Sequence, residues 1–152
     1  MPPVGISGIL KLIHILFATA WVGGNMLFLV LGLRALRTDA ATRIHFAGEA
    51  LVASRAFVIS AGVALASGVW LVIREDAWQF DQAWISIGFT GLLLGFVLGL
   101  VFYGPQTRAF IIEEEAGDAA AGPRNRRVAM IAIVETTVLL VVLWAMIYKP
   151  GL

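Results

Sequence analysis

The sequence has no cysteine and few charged residues. The absence of cysteine excludes disulfide bonds, a thiolate nucleophile and cysteine ligands to a metal. Charged residues make up 14% of the 152 residues, whereas about 25% is usual in soluble domains. The formal net charge of +1 gives no electrostatic attraction to nucleic acid, so we expect no nucleic-acid partner. A hydrophobic share of 60% is typical of a membrane protein instead.

Most of the apolar residues are collected into four long runs. The runs cover roughly residues 8–33, 52–73, 83–104 and 128–148. Each run reaches the ~20 residues that a helix needs to cross a bilayer, and the charged residues inside them are Lys11, Arg55 and Glu135. We therefore predict an all-α polytopic membrane protein. Residues 1–152 would form a single transmembrane domain, a four-transmembrane-helix bundle surrounded by the lipid bilayer.

The basic residues of the connections predict how the helices are oriented. The first and third connections, together with Arg55, carry eight arginines, whereas the second connection and the two chain ends carry Arg74, Lys11 and Lys149. We therefore expect a bacterial inner-membrane protein with the first and third connections in the cytoplasm and both termini outward. A cleaved signal peptide is the competing interpretation of the N-terminal segment, but its apolar run continues to Leu33.

Polar and aromatic side chains share one face of the first predicted helix. His14, Trp21 and Asn25 are seven and four residues apart, a spacing that places them in one helical stripe. Polar groups inside a membrane usually face a bundle interior, a cavity or a cofactor. We predict that His14 is the metal ligand of a haem b held between helices, with Trp21, Asn25 and Gly24 lining the pocket. The alternative is that His14 is a packing residue, hydrogen-bonded to a neighbouring helix.

Arg55 and Glu135 form a predicted polar core in the cytoplasmic half of the bundle. Glu135 lies in the fourth run, and Arg55 lies near the start of the second run. We expect a structural Arg55–Glu135 pair, which is compatible with a proton-transfer role for Glu135. Lys11 and Lys149 lie near the outer ends of their runs, where we expect their long side chains to extend toward the membrane surface.

Small residues in the third run predict close helix packing. Gly91, Gly95 and Gly99 form a GxxxGxxxG run, which lets neighbouring helices approach one another. We expect contact within the bundle, with homodimerisation or assembly into a larger membrane complex as alternatives.

The connections themselves carry two predictions. Residues 113–123 are acidic and rich in Ala and Gly, so we expect a mobile loop. Residues 38–50 predict an amphipathic extension of the second helix, capped by Thr38 or Asp39.

Several short motifs together resemble a bacterial family of small four-helix membrane proteins with no assigned activity. The pattern K-x-x-H-x6-W-x-G-G of Lys11, His14, Trp21, Gly23 and Gly24 is similar to the first helix of that family. The ends of the third helix and of the chain, Gly104-Pro105-Gln106 and Tyr148-Lys149-Pro150, are similar as well. The resemblance implies a four-helix membrane fold over nearly the whole chain.

That family is similar in turn to HemJ-type protoporphyrinogen IX oxidases and, more distantly, to CopD-type copper-resistance membrane domains. The similarity to HemJ-type proteins covers the first-helix His14 and Trp21, Arg55 at the start of the second helix, and Glu135 followed by Thr137. The resemblance implies haem or another tetrapyrrole near His14, with Arg55 and Glu135 in the polar core.

Three functions follow as hypotheses. The first is a redox or tetrapyrrole-related role with haem b at His14. The second is a non-enzymatic structural or accessory membrane subunit, in which His14 serves packing. The third is ion or proton transport with Glu135 as the titrating group.

Overall fold

The computed structural model describes residues 5–151 of the chain. All regular structure in that range is helical, which confirms the predicted fold class. The elements are α1 (Ile6–Ala35), α2 (Ala40–Arg74), α3 (Ala83–Leu98), a π-helical segment (Gly99–Tyr103), α4 (Gly104–Glu115) and α5 (Ala121–Tyr148). Because α3, the π-helical segment and α4 are continuous, the described residues contain four helical segments that are long and apolar enough to span a membrane.

The four spanning segments alternate in direction, so both described chain ends lie at one end of the bundle. The side chain of Lys11, near the start of α1, lies 3.1 Å from that of Glu75, just after α2. The ammonium of Lys149, just after α5, lies 5.2 Å from the ring centroid of Trp84 in α3. We call this the terminal end of the bundle and the other the opposite end. Which end faces the cytoplasm stays a prediction.

An apolar cluster fills the centre of the bundle. Trp21, Ala61, Leu92, Leu139 and Val142 are buried in it, so α1, α2, α3 and α5 all contribute. The outward faces of the same helices are also apolar, and many of their Leu, Ile and Val side chains are exposed. An apolar core beneath an apolar surface is the pattern of a bundle that is surrounded by lipid.

The beginning of α2 extends the bundle at its opposite end. α2 contains 35 residues and is about 52 Å long at 1.5 Å per residue, more than the ~30 Å of the hydrocarbon core. Ala47 near its start packs with Phe110 of α4 and Ala121 of α5 in a small buried cluster. Asp39 caps the helix, because its Oδ1 accepts the backbone N–H of Thr42 at 2.9 Å. The predicted extension of the second helix, with Asp39 as its cap, is therefore present.

The acidic segment that was expected to be a mobile loop is largely ordered. Glu113 and Glu114 belong to α4. Glu113 pairs with Arg124 of α5 at 2.5 Å, and Glu114 pairs with Arg43 of α2. These two ion pairs hold the segment against its neighbours, so the connection between α4 and α5 shortens to residues 116–120.

The third spanning helix continues past residue 104, where the sequence suggested its end. Pro105 has no N–H, and in a regular α-helix its ring would clash with the carbonyl four residues earlier. The π-helical segment ends at Tyr103, two residues before Pro105, and widens the helix where that carbonyl lies. The chain therefore stays helical to Glu115.

The glycine run of α3 serves packing inside the bundle. A Cβ atom at Gly91 would collide with the side chain of Val142 in α5. At Gly95 it would lie 2.6 Å from the indole of Trp21, and at Gly99 it would lie 3.2 Å from a side chain of α2. Side chains of the same chain lie above these three glycines, which confirms the predicted contact within the bundle. Homodimerisation and assembly into a larger membrane complex stay predictions.

Candidate functional site: a buried acid beside an aromatic cavity

Glu135 is an acidic residue buried in the middle of the bundle. It lies about 21 Å along α5 from Ala121, at 1.5 Å per residue, and it is 3% exposed. Tyr103, the last residue of the π-helical segment, donates its hydroxyl hydrogen to Oε2 of Glu135. A carboxyl group at this depth is costly unless it is hydrogen-bonded, paired or protonated. The neighbours of Glu135 therefore decide what it can do.

The residues around Glu135 bring α1 and α3 to α5. Thr136 Oγ1 donates a hydrogen bond to Asn25 Oδ1 at 2.6 Å. Trp21, one turn before Asn25, is 3% exposed. A Cβ atom at Gly95 would lie 2.6 Å from Cζ2 of Trp21 and 2.8 Å from Oε1 of Glu135. Gly95 is thus the point where α3 leaves room for both the indole and the carboxyl group.

The predicted Arg55–Glu135 pair is wrong. Arg55 is exposed on α2, whereas Ser54 and Phe57 line the interior. Consecutive residues of an α-helix point about 100° apart, so the inward direction of Ser54 and Phe57 turns Arg55 outward. Within residues 5–151, Glu135 has no ion-pair partner. The polar core therefore consists of Glu135 and neutral side chains.

A cavity of about 180 Å³ extends from Glu135 toward the opposite end of the bundle. We call it the Glu135 cavity. Its polar lining residues are Asn25, Tyr103 and Glu135 in the inner part, and Arg43, Ser54, Thr107 and Asn125 nearer the opposite end. This volume is well above the ~10–15 Å³ that a single water molecule needs, so water can enter the cavity. The cavity thus connects the buried acid with one end of the bundle along a mostly apolar wall that carries a few polar side chains.

Aromatic side chains form much of the wall of the Glu135 cavity. The ring of Phe28 lies edge-on to that of Phe57, with centroids 5.2 Å apart, and 5.8 Å from that of Phe46. The other aromatic lining residues are Trp21, Phe96, Tyr103 and Phe110. Because the face of an aromatic ring is electronegative, a ring that turns its face into the cavity would favour a cation over an anion.

Arg43 is the basic residue among the lining residues of the cavity, but its guanidinium is engaged elsewhere. Its Nε donates to Oε1 of Glu114 at 2.9 Å, and a terminal nitrogen donates to the carbonyl of Thr38. These contacts hold the guanidinium at the opposite end, away from Glu135. The charge in the inner part of the cavity therefore depends on the protonation of Glu135.

His14 lies apart from the Glu135 cavity, although it shares a helix face with Trp21 and Asn25. Its Nδ1 lies 2.8 Å from the carbonyl oxygen of Ala64 in α2. A bond to a carbonyl requires the proton on Nδ1, so Nε2 keeps a free lone pair. The contact is the interhelical hydrogen bond of the packing hypothesis, and it also fixes the tautomer that metal-ligating histidines use.

Of the other residues predicted to line a haem pocket, Trp21 and Asn25 line the Glu135 cavity, whereas Gly24 does not. A Cβ atom at Gly24 would collide with the ring of Phe57, so this ring covers the glycine. His14 is not among the lining residues of the Glu135 cavity, and the cavity is smaller than the about 300 Å³ at which most small-molecule pockets begin. A haem ligated by His14 would therefore lie outside it. In the described part of the chain, no three His, Asp or Glu residues form a metal-binding group.

Lys11 and Lys149 meet at the terminal end, far from Glu135. Lys11 and Lys149 place their ammonium groups 5.1 Å and 5.2 Å from the ring centroid of Trp78. The hydrogen bond from Lys11 lowers the pKa of the Glu75 carboxyl below its usual value of 4.5. This cluster lies where the sequence predicted the two lysines to be, near the ends of their helices.

Tyr103 is absent from the site residues that the sequence predicts, although a signal for it is present. Tyr103 lies inside the third apolar run, where a phenol hydroxyl needs a hydrogen-bond partner. Glu135 in the fourth run needs a donor for the same reason. The two residues lie in the same half of neighbouring helices, and this shared depth predicts their contact.

Comparisons with known proteins give one match. No curated protein and no solved structure matches the chain. The profile of the family described as "Predicted integral membrane protein (DUF2269)" matches residues 8–150. The similarity to HemJ-type and CopD-type proteins stays a prediction. Because the match takes in all four spanning segments, the chain belongs to this family of integral membrane proteins.

Proposed function

We propose that this integral membrane protein moves protons across the bilayer, with Glu135 as the group that binds and releases them. One observation carries the proposal. Glu135 is a buried acid without a cationic partner among the described residues, and it lies at the inner part of a cavity that reaches one end of the bundle.

The chemistry of the neighbours favours proton exchange at this position. A buried carboxylate without a counter-charge avoids its desolvation cost by taking up a proton. Tyr103 donates to Oε2 of Glu135, and a neutral carboxyl group would carry its proton on the other oxygen. Water in the Glu135 cavity would connect this oxygen to the opposite end.

The other half of the bundle separates Glu135 from the terminal end. Leu92, Leu139 and Val142 are buried in the central apolar cluster beyond the acid. An apolar plug of this kind holds no water. In the proposed cycle, Glu135 is reached from the opposite end in this arrangement of the helices, and translocation requires a second state that reaches the terminal end.

Proton flux into proteoliposomes tests the proposal. A pH gradient is imposed, the membrane potential is held at zero, and a trapped dye reports internal pH. We expect faster equilibration than in protein-free liposomes, and we expect Glu135→Gln to remove the difference. Glu49→Gln, which changes an exposed residue of α2, serves as the matched control. Unchanged flux in Glu135→Gln, or no flux above background in the wild type, overturns the proposal.

A haem-dependent role at His14 is the second candidate. The Nδ1 contact with Ala64 leaves Nε2 free to ligate a metal, which is the specific observation that favours it. Because the Glu135 cavity does not include His14, such a haem would bind elsewhere on the bundle. Absorption spectra of protein purified from haem-replete cells test this candidate. A haem band that His14→Ala abolishes supports it, and colourless protein that takes up no haem contradicts it.

A further inference from the structure

We propose that the Glu135 cavity binds a small organic ammonium ion, which replaces the proton on Glu135. This inference rests on the proposed proton-exchange role and names the class of ligand that would couple to it. Three features of the same cavity point to a small organic cation: one acid, several aromatic side chains in the wall, and a volume of about 180 Å³ that limits the ligand to a small ion.

The electrostatics of the cavity favour a single positive charge. The titratable residues among its lining residues are Glu135 of α5, Tyr103 of the π-helical segment and Arg43 of α2. Tyr103 donates to Glu135, and Arg43 is paired with Glu114. The lining residues from α1, α3 and α4 are uncharged. The inner part therefore has one site for a cation, which either a proton or an ammonium ion fills.

The exchange at Glu135 balances in charge and atoms. In the empty cavity the carboxyl group holds a proton. When the ammonium ion enters, the carboxyl group releases that proton toward the opposite end and becomes a carboxylate beside the ion. The cavity stays neutral in both states, so neither state leaves an unpaired charge inside the membrane.

The aromatic wall favours an organic ammonium ion over a metal ion. Calcium and magnesium take six or more oxygen ligands, whereas the inner cavity offers oxygen atoms from Glu135, Asn25 and Tyr103 and is otherwise lined mostly by aromatic and aliphatic carbon. Alkylated ammonium ions carry a diffuse charge that aromatic faces bind well. The edge-to-face contact of Phe28 with Phe57 fixes two of these rings in position.

A pair of isosteric probes tests the inference. Benzyltrimethylammonium is the cation, and neopentylbenzene is its neutral isostere with carbon in place of nitrogen. Binding to the purified full chain in detergent is measured by calorimetry in buffers of different ionisation enthalpy, which reports proton release. We expect the cation to bind with release of about one proton and with an affinity that rises about tenfold per pH unit while Glu135 is protonated. The neutral isostere should show neither effect.

Variants separate the acid from the aromatic wall. Glu135→Gln should weaken binding of the cation by at least about tenfold, and Phe28→Leu should weaken it by about threefold to tenfold. Phe80→Leu, at an exposed aromatic residue of the α2–α3 connection, should leave binding unchanged. The pH dependence of the wild type needs no variant, so poor folding of a variant does not remove the test.

Three results would overturn the inference, and they differ from the failure of the proposed function. Equal binding of the cation and its neutral isostere, or binding of the cation without proton release, contradicts the role of Glu135 as its counter-charge. Glu135-dependent proton flux without any binding of the cation contradicts the ligand class and leaves proton transport in place. If the flux itself does not depend on Glu135, both fail together.

Discussion

The hydroxyl of Tyr103 donates a hydrogen bond to Oε2 of Glu135. This contact joins the π-helical segment of the third span to the acid in the middle of the fourth. π-Helical turns inside longer helices are frequent at functional sites. Here the turn absorbs the distortion from Pro105 and presents Tyr103 to the carboxyl group.

Removal of this hydroxyl should destabilise the protein. Tyr103→Phe leaves Glu135 buried with one donor fewer, and loss of a buried partner costs about 1–3 kcal/mol. Thermal unfolding in detergent measures the change. Tyr148→Phe is the matched control, because Tyr148 is 72% exposed. Equal melting temperatures for Tyr103→Phe and the wild type would show that the contact contributes nothing.

The substitution Gly95→Ala should disturb the surroundings of Glu135, because it adds a methyl group to α3 at this point. The Cβ of Gly95→Ala would lie 2.6 Å from Trp21 and 2.8 Å from Glu135, and overpacking of this kind costs about 1–3 kcal/mol. Gly23→Ala is the control, since nothing lies within 4 Å of a Cβ at that position. We expect a lower melting temperature and reduced proton flux for Gly95→Ala alone. Similar behaviour of the two variants would contradict the close approach at Gly95.

The helical extension at the opposite end should depend on the Arg43–Glu114 pair. Arg43→Glu sets two carboxylates against each other, and loss of the charged hydrogen bonds should cost about 2 kcal/mol. The double variant Arg43→Glu/Glu114→Arg should recover most of that loss. Limited proteolysis after residue 113 gives a second measurement, with faster cleavage in the single variant. Additive effects in the double variant would show that the two residues do not interact.

Low pH should destabilise the terminal end of the bundle, because it protonates Glu75 and removes its ion pair with Lys11. Because its folded pKa is lowered by Lys11, the stabilisation from Glu75 is present above its ordinary value of 4.5 and is lost as the pH falls through the lowered folded value. The melting temperature should fall modestly over this range in the wild type and less in Glu75→Gln. Asp81→Asn, at an exposed acid in the same connection, should behave as the wild type. The same acid response in Glu75→Gln would contradict the role of this pair.

Much of the fold follows from the sequence, because the bilayer imposes a simple requirement. An apolar run of about 20 residues must be helical to satisfy its own backbone groups, and the four runs are indeed helical. The helix ends follow less well. The composition of the acidic stretch at 113–115 predicts a loop, but ion pairs to Arg43 and Arg124 hold it in a helix. Local composition does not reveal such long-range partners.

The candidate site follows from the sequence only in part. Helical spacing correctly places Trp21 and Asn25 on an inward face, and Glu135, the acid inside the fourth run, is buried and lines the same cavity. Spacing within one helix does not give the rotation of the neighbouring helix. For that reason the sequence predicted a pair between Glu135 and Arg55, although Arg55 points outward. For the same reason the prediction did not include Tyr103, which the π-helical turn directs toward Glu135.

The central claim is that Glu135 binds and releases a proton inside the membrane. Infrared difference spectra of the purified protein across a pH titration test it most directly, because a protonated carboxyl group has a C=O stretch that a carboxylate lacks. If Glu135 exchanges a proton, we expect a titrating carboxyl band in the wild type and in Glu49→Gln. This band should be absent in Glu135→Gln. Identical difference spectra for the wild type and Glu135→Gln over the whole titration would contradict it.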